Sequence, residues 1–223
     1  MRPWETKMRQ AANAISGKPR PRDAEATQKR ILAAAKREFS RLGLGGARVD
    51  DIAEKAKVNK RMIYHYFDSK ENLFRRVLED AYLDIRRAES KLDLDGMPAM
   101  AALEKLVRFT WDYYLEHPEF LTLVNSENLH KAKHLKTSRN IDAINRPLHN
   151  MVQDILERGV REGVFRTGID EMQLNVTIAA ISYYYFTNRY TGAVVYKRDF
   201  MTPDALERRI DFNVETILRL VRK

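Results

Sequence analysis

The stretch DIAEKAKVNKRMIYHYFDSKENL, residues 51–73, decides the fold. Ile52, Ala53 and Ala56, with Val49 just ahead of them, recur at helical spacing over a short amphipathic segment. Val58 opens a tight connection, and Asn59 is the kind of side chain that caps the free N–H groups of a helix starting at Lys60. Two short helices therefore meet across a turn, as in a helix-turn-helix, where the first helix braces a second whose N-terminal residues reach base edges in the major groove. That task needs apolar anchors on one side and donors on the other. Ile52, Ala53, Ala56, Val58, Ile63 and Phe67 supply the anchors, while Lys60, Arg61, Tyr64, His65 and Tyr66 fall on or near the outer side. Ile63 is expected in the core; the spacing leaves Met62 open between core and base contact.

Working outward, Thr27 offers an N-cap to a helix carrying Ile31, Leu32, Ala35, Phe39 and Leu42, which Gly43 and Gly45-Gly46 stop. Ahead of it, Gly17-Lys18-Pro19-Arg20-Pro21-Arg22 alternates prolines with cations, so Pro3 to Ala26 reads as a basic arm. Downstream, Ser69 caps a long helix bearing Leu73, Phe74, Val77, Leu78, Ala81, Tyr82 and Ile85 that joins this head to a larger body. Further helices are expected from Pro98 to His117, from about Glu119 to Lys133, from Ile141 to Arg161 with Gly163 as its stop, and from Asp170 to about Tyr190. Thr202-Pro203-Asp204 starts the last, which runs nearly to Arg222. No strand pattern is present, and the expected fold is all-α, with residues 1–26 an arm, 27–75 the helix-turn-helix domain and 76–223 a second helical domain.

Charge divides along the same line. Residues 1–75 hold 18 Lys and Arg against 9 Asp and Glu, and residues 76–223 hold 22 of each, so the whole net charge of +9 belongs to the first third. Such a local excess suits phosphate-backbone binding, as it also suits a solvated basic face or an anionic membrane surface. The 44% hydrophobic and 32% charged content is that of a globular chain. No cysteine is present, which excludes disulfides, thiolate metal sites and cysteine nucleophiles, and no apolar run matches a signal peptide or a membrane span. A cytoplasmic protein with no membrane partner is expected.

The quoted stretch resembles the signature of TetR-family regulators: an I-A-x-x-A core, an aromatic-rich recognition helix ending Tyr64-His65-Tyr66-Phe67, and the following Ser69-Lys70-Glu71-Asn72-Leu73 helix start. The likeness covers roughly Arg30 to Leu78. It implies a dimeric, ligand-responsive repressor on a palindromic DNA operator, with Lys70 contacting phosphate together with Tyr64 and Tyr66. Two departures stand out. Lys57 occupies the usual turn glycine, and Ala47-Arg48 replaces the threonine common before the second helix. A lysine in a left-handed turn costs about 1 kcal/mol, yet Lys57 and Arg48 also add cations beside the backbone. The candidate DNA contacts are thus Arg48, Lys57, Asn59, Lys60, Arg61, Tyr64, His65, Tyr66 and Lys70, and the basic arm is a further candidate for the minor groove.

In the body the resemblance implies an effector pocket, for which Trp111, Tyr114, Phe120, Asn125, Glu127, Asn128 and Asn175 are candidate liners. Tyr183-Tyr184-Tyr185-Phe186 step by 100° and must divide between core, interface and cavity. The stripes Ile178, Ile181 and Tyr185 in one helix and Leu206, Ile210, Ile217 and Val221 in another are expected to pair as a four-helix homodimer interface. Two alternatives remain. His130 and His134, four apart with Glu127 one turn earlier, would share one helical face suited to Zn²⁺ and make a metal-responsive regulator; or the body binds a protein partner. No phosphate-binding glycine loop or nucleophile elbow is found, so neither an enzyme nor a cofactor is expected.

Overall fold

In the computed structural model, which describes residues 21–223, the chain is built from helices α1 (Pro21–Gly46), α2 (Val49–Ala56), α3 (Lys60–Phe67), α4 (Lys70–Glu89), α5 (Ala99–Glu116), α6 (Pro118–Leu129), α7 (Ile141–Arg161), α8 (Glu171–Thr187), α9 (Arg189–Tyr196) and α10 (Pro203–Val221), with one 3₁₀ turn at Leu135–Thr137. The fold is all-helical, as expected. Among the described residues the one strand-like feature is a single bridge between Phe165 and Arg222. None of these helices is long and apolar enough to cross a membrane.

The first helix begins earlier than expected. Most of the arm, residues 1–20, lies outside the described residues, but 21–26 are helical. Proline needs no N–H partner in a first turn, and Asp23 there complements the helix dipole. Thr27 is consequently not a cap: its hydroxyl donates to the Asp23 carbonyl, 2.7 Å away, from inside the helix. Gly43 breaks α1 as foreseen, with φ 67°, and beyond it the Leu44 N–H donates to Ser126 Oγ of α6 at 3.3 Å.

The head core gathers Ile31, Phe39, Ile52, Ile63, Leu73 and Phe74, all fully buried, with Phe39 and Phe74 meeting edge to face at 5.1 Å. Because Phe74 sits on α4, the helix that closes the head is also the one that runs on into the body, where it packs on α7. There α5 is the central helix, packed against α7, α8 and α10. Its Trp111 lies against Phe186 at 4.4 Å and Tyr185 at 5.3 Å.

Two helices stop short of expectation. α6 ends at Leu129 rather than near Lys133, and Lys131 and Ala132 both take φ 56°. The cause is Glu127, a buried carboxylate that draws the chain back on itself. It accepts the backbone N–H groups of His134 (2.8 Å) and Leu135 (2.9 Å) on one oxygen, and meets His134 Nδ1 at 2.7 Å with the other. α8 ends at Thr187, where the Asn188 side chain donates to the Tyr184 carbonyl at 3.0 Å, and a new helix, α9, begins.

Candidate nucleic-acid interface and internal cavity

In the head, backbone geometry places the outward side chains. Lys57 adopts the left-handed conformation its position demands, φ 54°, ψ 49°, with its N–H and that of Val58 closing on carbonyls of α2. Asn59 Oδ1 accepts the Arg61 N–H at 2.9 Å, capping α3, and Ser69 Oγ accepts the Asn72 N–H at 3.0 Å, capping α4. Ile63 and Phe67 are buried and fix how α3 rotates on the head, while Met62 stays half-buried. Arg48, Lys57, Asn59, Lys60, Arg61, Tyr64 and His65 are then exposed, and Tyr66 and Lys70 half-buried.

Not all nine candidates are equally available. The Asn59 side chain is engaged in its cap. Lys60 Nζ pairs with Asp50 at 2.9 Å, an exposed pair that raises the lysine pKa and lowers that of the aspartate. Behind this surface Lys55 and Arg41 both close on Glu38, buried between α1 and α2, whose pKa the bond to Lys55 holds down. The head therefore presents cations outward over a braced interior.

A cavity of about 370 Å³ opens in the body, between α4, α5, α6, α7 and α8. Of the residues expected to line a pocket, Tyr114, Phe120 and Asn175 do so. Trp111 instead belongs to the core against Tyr185 and Phe186. Asn125 stands just outside, accepting the Tyr183 hydroxyl. Glu127 is committed to the turn described above, and Asn128 faces solvent. The lining residues missed by sequence reasoning include Tyr82, Arg86 and Glu89 of α4 and Asn145 of α7. The apolar stripe of α4 gave no sign that its final turns border a void, although a charged i, i+3 pair on that stripe was the available signal.

Arg86 and Glu89 are the cavity's only acidic or basic groups among the described residues. Both side chains are buried, 9% and 4% exposed, with Arg86 Nη1 3.0 Å from Glu89 Oε2. Burial pushes the Glu89 carboxyl up to about 7, against the opposing pull of Arg86, and lowers the pKa of Arg86 itself. Burial likewise raises the Tyr82, Tyr114 and Tyr183 hydroxyls, which stay protonated donors.

The expected dimer stripes turn mostly into their own protomer. Ile178, Tyr185, Ile210, Ile217 and Val221 are buried within the protomer, and Ile181 and Leu206 are half-buried. The apolar stripe of the amphipathic α10 goes mainly to its own core, and α8 is apolar on more than one side, so besides Ile181 and Leu206 a partner would meet a second set. That set is Met172, Val176 and Tyr184 on α8, Tyr190, Val194, Val195 and Tyr196 on α9, and Phe212 and Leu220 on α10, all exposed. The histidine face suited to a metal also fails to form, because α6 ends before His130 and Glu127 is occupied by His134 and two backbone amides.

Comparison with known proteins agrees with this architecture. The family profile described as bacterial regulatory proteins, tetR family, matches residues 31–77, and that of the tetracyclin repressor-like C-terminal domain matches 100–217. The chain is 39% identical to the HTH-type transcriptional repressor NicS of Pseudomonas putida over 204 residues, 92% of this chain and 96% of that protein. It is 36% identical to the HTH-type transcriptional regulator RutR of Escherichia coli over 122 residues, 55% of this chain and 57% of RutR. In fold it resembles a bacterial regulatory protein in the tetR family from Rhodococcus, with a TM-score of 0.68 at 18% identity, covering 88% of this chain and 97% of that one.

Proposed function

This chain belongs to the TetR family of bacterial regulatory proteins, and from that premise we propose that it is a ligand-responsive repressor that binds a palindromic operator as a homodimer in the cytoplasm. DNA binding and transcriptional regulation come with the family. The dimer, the operator symmetry, the effector and the individual DNA contacts belong to the proposal.

One observation carries it: α4 begins at the candidate DNA surface and ends at the cavity. Lys70 is its first residue, and Arg86 and Glu89 lie in its last turns. At 1.5 Å per residue Lys70 stands about 24 Å from Arg86 and about 29 Å from Glu89 on one rigid element. A shift of α4 at the cavity therefore moves the base of α3. In a homodimer the two recognition helices enter successive major grooves about 34–36 Å apart. An effector favouring a different separation weakens operator binding by its own difference in affinity for the two conformations.

Arg48, Lys57, Arg61, Tyr64, His65 and Lys70 are the side chains assigned to DNA, with Lys60 joining them by leaving Asp50 and Tyr66 from the rim. The exposed apolar set on α8, α9 and α10 is assigned to the second protomer. Selection of bound sequences from random duplex DNA tests the reading. An enriched inverted repeat supports it, whereas enrichment of a single unrepeated site or of no sequence contradicts it.

A further inference from the structure

Arg86 lines the cavity and is incompletely bonded as a structural group. Its approach to Glu89 lies off the N–H directions, and neither Nε nor Nη1 meets a hydrogen-bond acceptor among the described residues. Buried donors left in this state cost free energy, and the natural complement of a guanidinium edge is a carboxylate bonded through two parallel N–H groups. Arg158 also has buried, unmatched nitrogens, but its Nη1 donates to the Leu94 carbonyl and its side chain lines a different cleft.

We infer that the cavity takes a small organic acid, its carboxylate held by Arg86, and that Glu89 takes up a proton as the acid enters. The inference rests on reading this cavity as the effector site. Charge selects the class. The wall carries one cation and one acid, so it can neutralise a single negative charge once Glu89 is protonated; a doubly charged phosphate ester would leave charge uncompensated in a buried space. Ile85, Phe120, Val124, Leu148 and Ile178 give the acid an apolar bed. With Glu89 ionised, an entering carboxylate meets a like charge across Arg86; with Glu89 protonated, the guanidinium edge is free.

The remaining groups around Glu89 do not supply a substitute for that proton. Asp93 and Asp95 in the following loop and Asp154 on α7 are acids sharing the cleft on its other side, where Arg158 is the cation. From α5, Tyr113 and Tyr114 face the pair as neutral phenols. Burial keeps Glu89 titrating at about 7, within reach of neutral solution.

The test uses the full chain with three acids, benzoate, phenylacetate and hexanoate, each beside its neutral amide. Calorimetric affinity is measured at pH 6 and pH 8, together with affinity for the duplex DNA obtained by selection. At least one acid should bind more tightly than its amide, and Arg86→Gln should weaken it at least tenfold. Binding should be about tenfold weaker at pH 8 than at pH 6, because the proton taken up is linked to the anion. Glu89→Gln should bind without that pH dependence. The double variant Arg86→Gln/Glu89→Gln has no buried charge to strand, and a native thermal transition in it shows that a failure to bind is not a failure to fold.

If no acid binds, if amides bind equally well, or if Arg86→Gln retains affinity, the inference is overturned. Amides that bind and loosen the DNA complex would remove the acid while keeping the effector reading. An acid that binds through Arg86 without changing DNA affinity would keep the acid site and remove the effector reading.

Discussion

The head and the cavity of the body treat charge in opposite ways. In the head the outward cations of α2 and α3 stand over a braced interior, and the buried acid Glu38 is closed by two basic partners. In the body a cation and an acid are buried together beside a void, with guanidinium nitrogens unmatched. The first arrangement suits a surface whose ligand is an extended polyanion outside the fold. The second suits a small ligand inside it. What links them is α4, which contributes Phe74 to the head core and Glu89 to the cavity wall.

The largest effect tests that link. Phe74→Ala removes a fully buried ring at the junction and should cost about 3–5 kcal/mol, read by denaturant unfolding. One cooperative transition shifted as a whole is expected; two separated transitions would mean that head and body fold independently and α4 does not couple them.

Titration sharpens the contrast next. The Glu89 carboxyl is raised from 4.5 to about 7 by burial, so the folded state holds a proton that the unfolded state has released. Stability should therefore fall as pH rises from about 4.5 to about 7, on the order of 1–3 kcal/mol. Glu38 is shifted downward and acts oppositely: its contribution is present above the unfolded carboxylate range and disappears as pH falls below it. Stability curves of Glu89→Gln and Glu38→Gln should separate the two, and a slope between pH 5 and 7 unchanged in Glu89→Gln would refute the assignment.

Smaller changes probe the head alone. Asn59→Ala removes the cap of α3 and should cost about 1 kcal/mol. Lys57→Gly relieves a left-handed lysine and should gain up to about 1 kcal/mol while flattening the salt dependence of DNA binding. A more stable variant with undiminished DNA affinity would show that the lysine touches no phosphate.

The same contrast explains what could be read in advance. The helix-turn-helix was legible because its determinants are local: Asn59 and Ser69 cap the helices they precede, Lys57 turns where a glycine is usual, and Ile63 and Phe67 set the inward face. The body was legible helix by helix but not site by site. Trp111 and Tyr114 share one helix, yet only Tyr114 reaches the void, because what surrounds each ring comes from α6 and α8. Glu127 looked like a ligand and is a turn-maker, since its partners His134 and Leu135 come into reach only after the chain reverses. Most of the expected interface stripe is internal for a related reason: periodicity finds the face a helix buries, and Ile217 and Val221 are buried in their own protomer.

Whether the α3–α4 surface holds DNA is tested most directly by a salt titration of the selected duplex with wild type and with Tyr64→Ala, Lys70→Ala and their combination. Each variant should weaken binding, and Lys70→Ala should lower the slope of log affinity against log salt by about 1, the share of a single neutralised phosphate. Unchanged affinity and slope in the combined variant would mean that this protein holds DNA somewhere else.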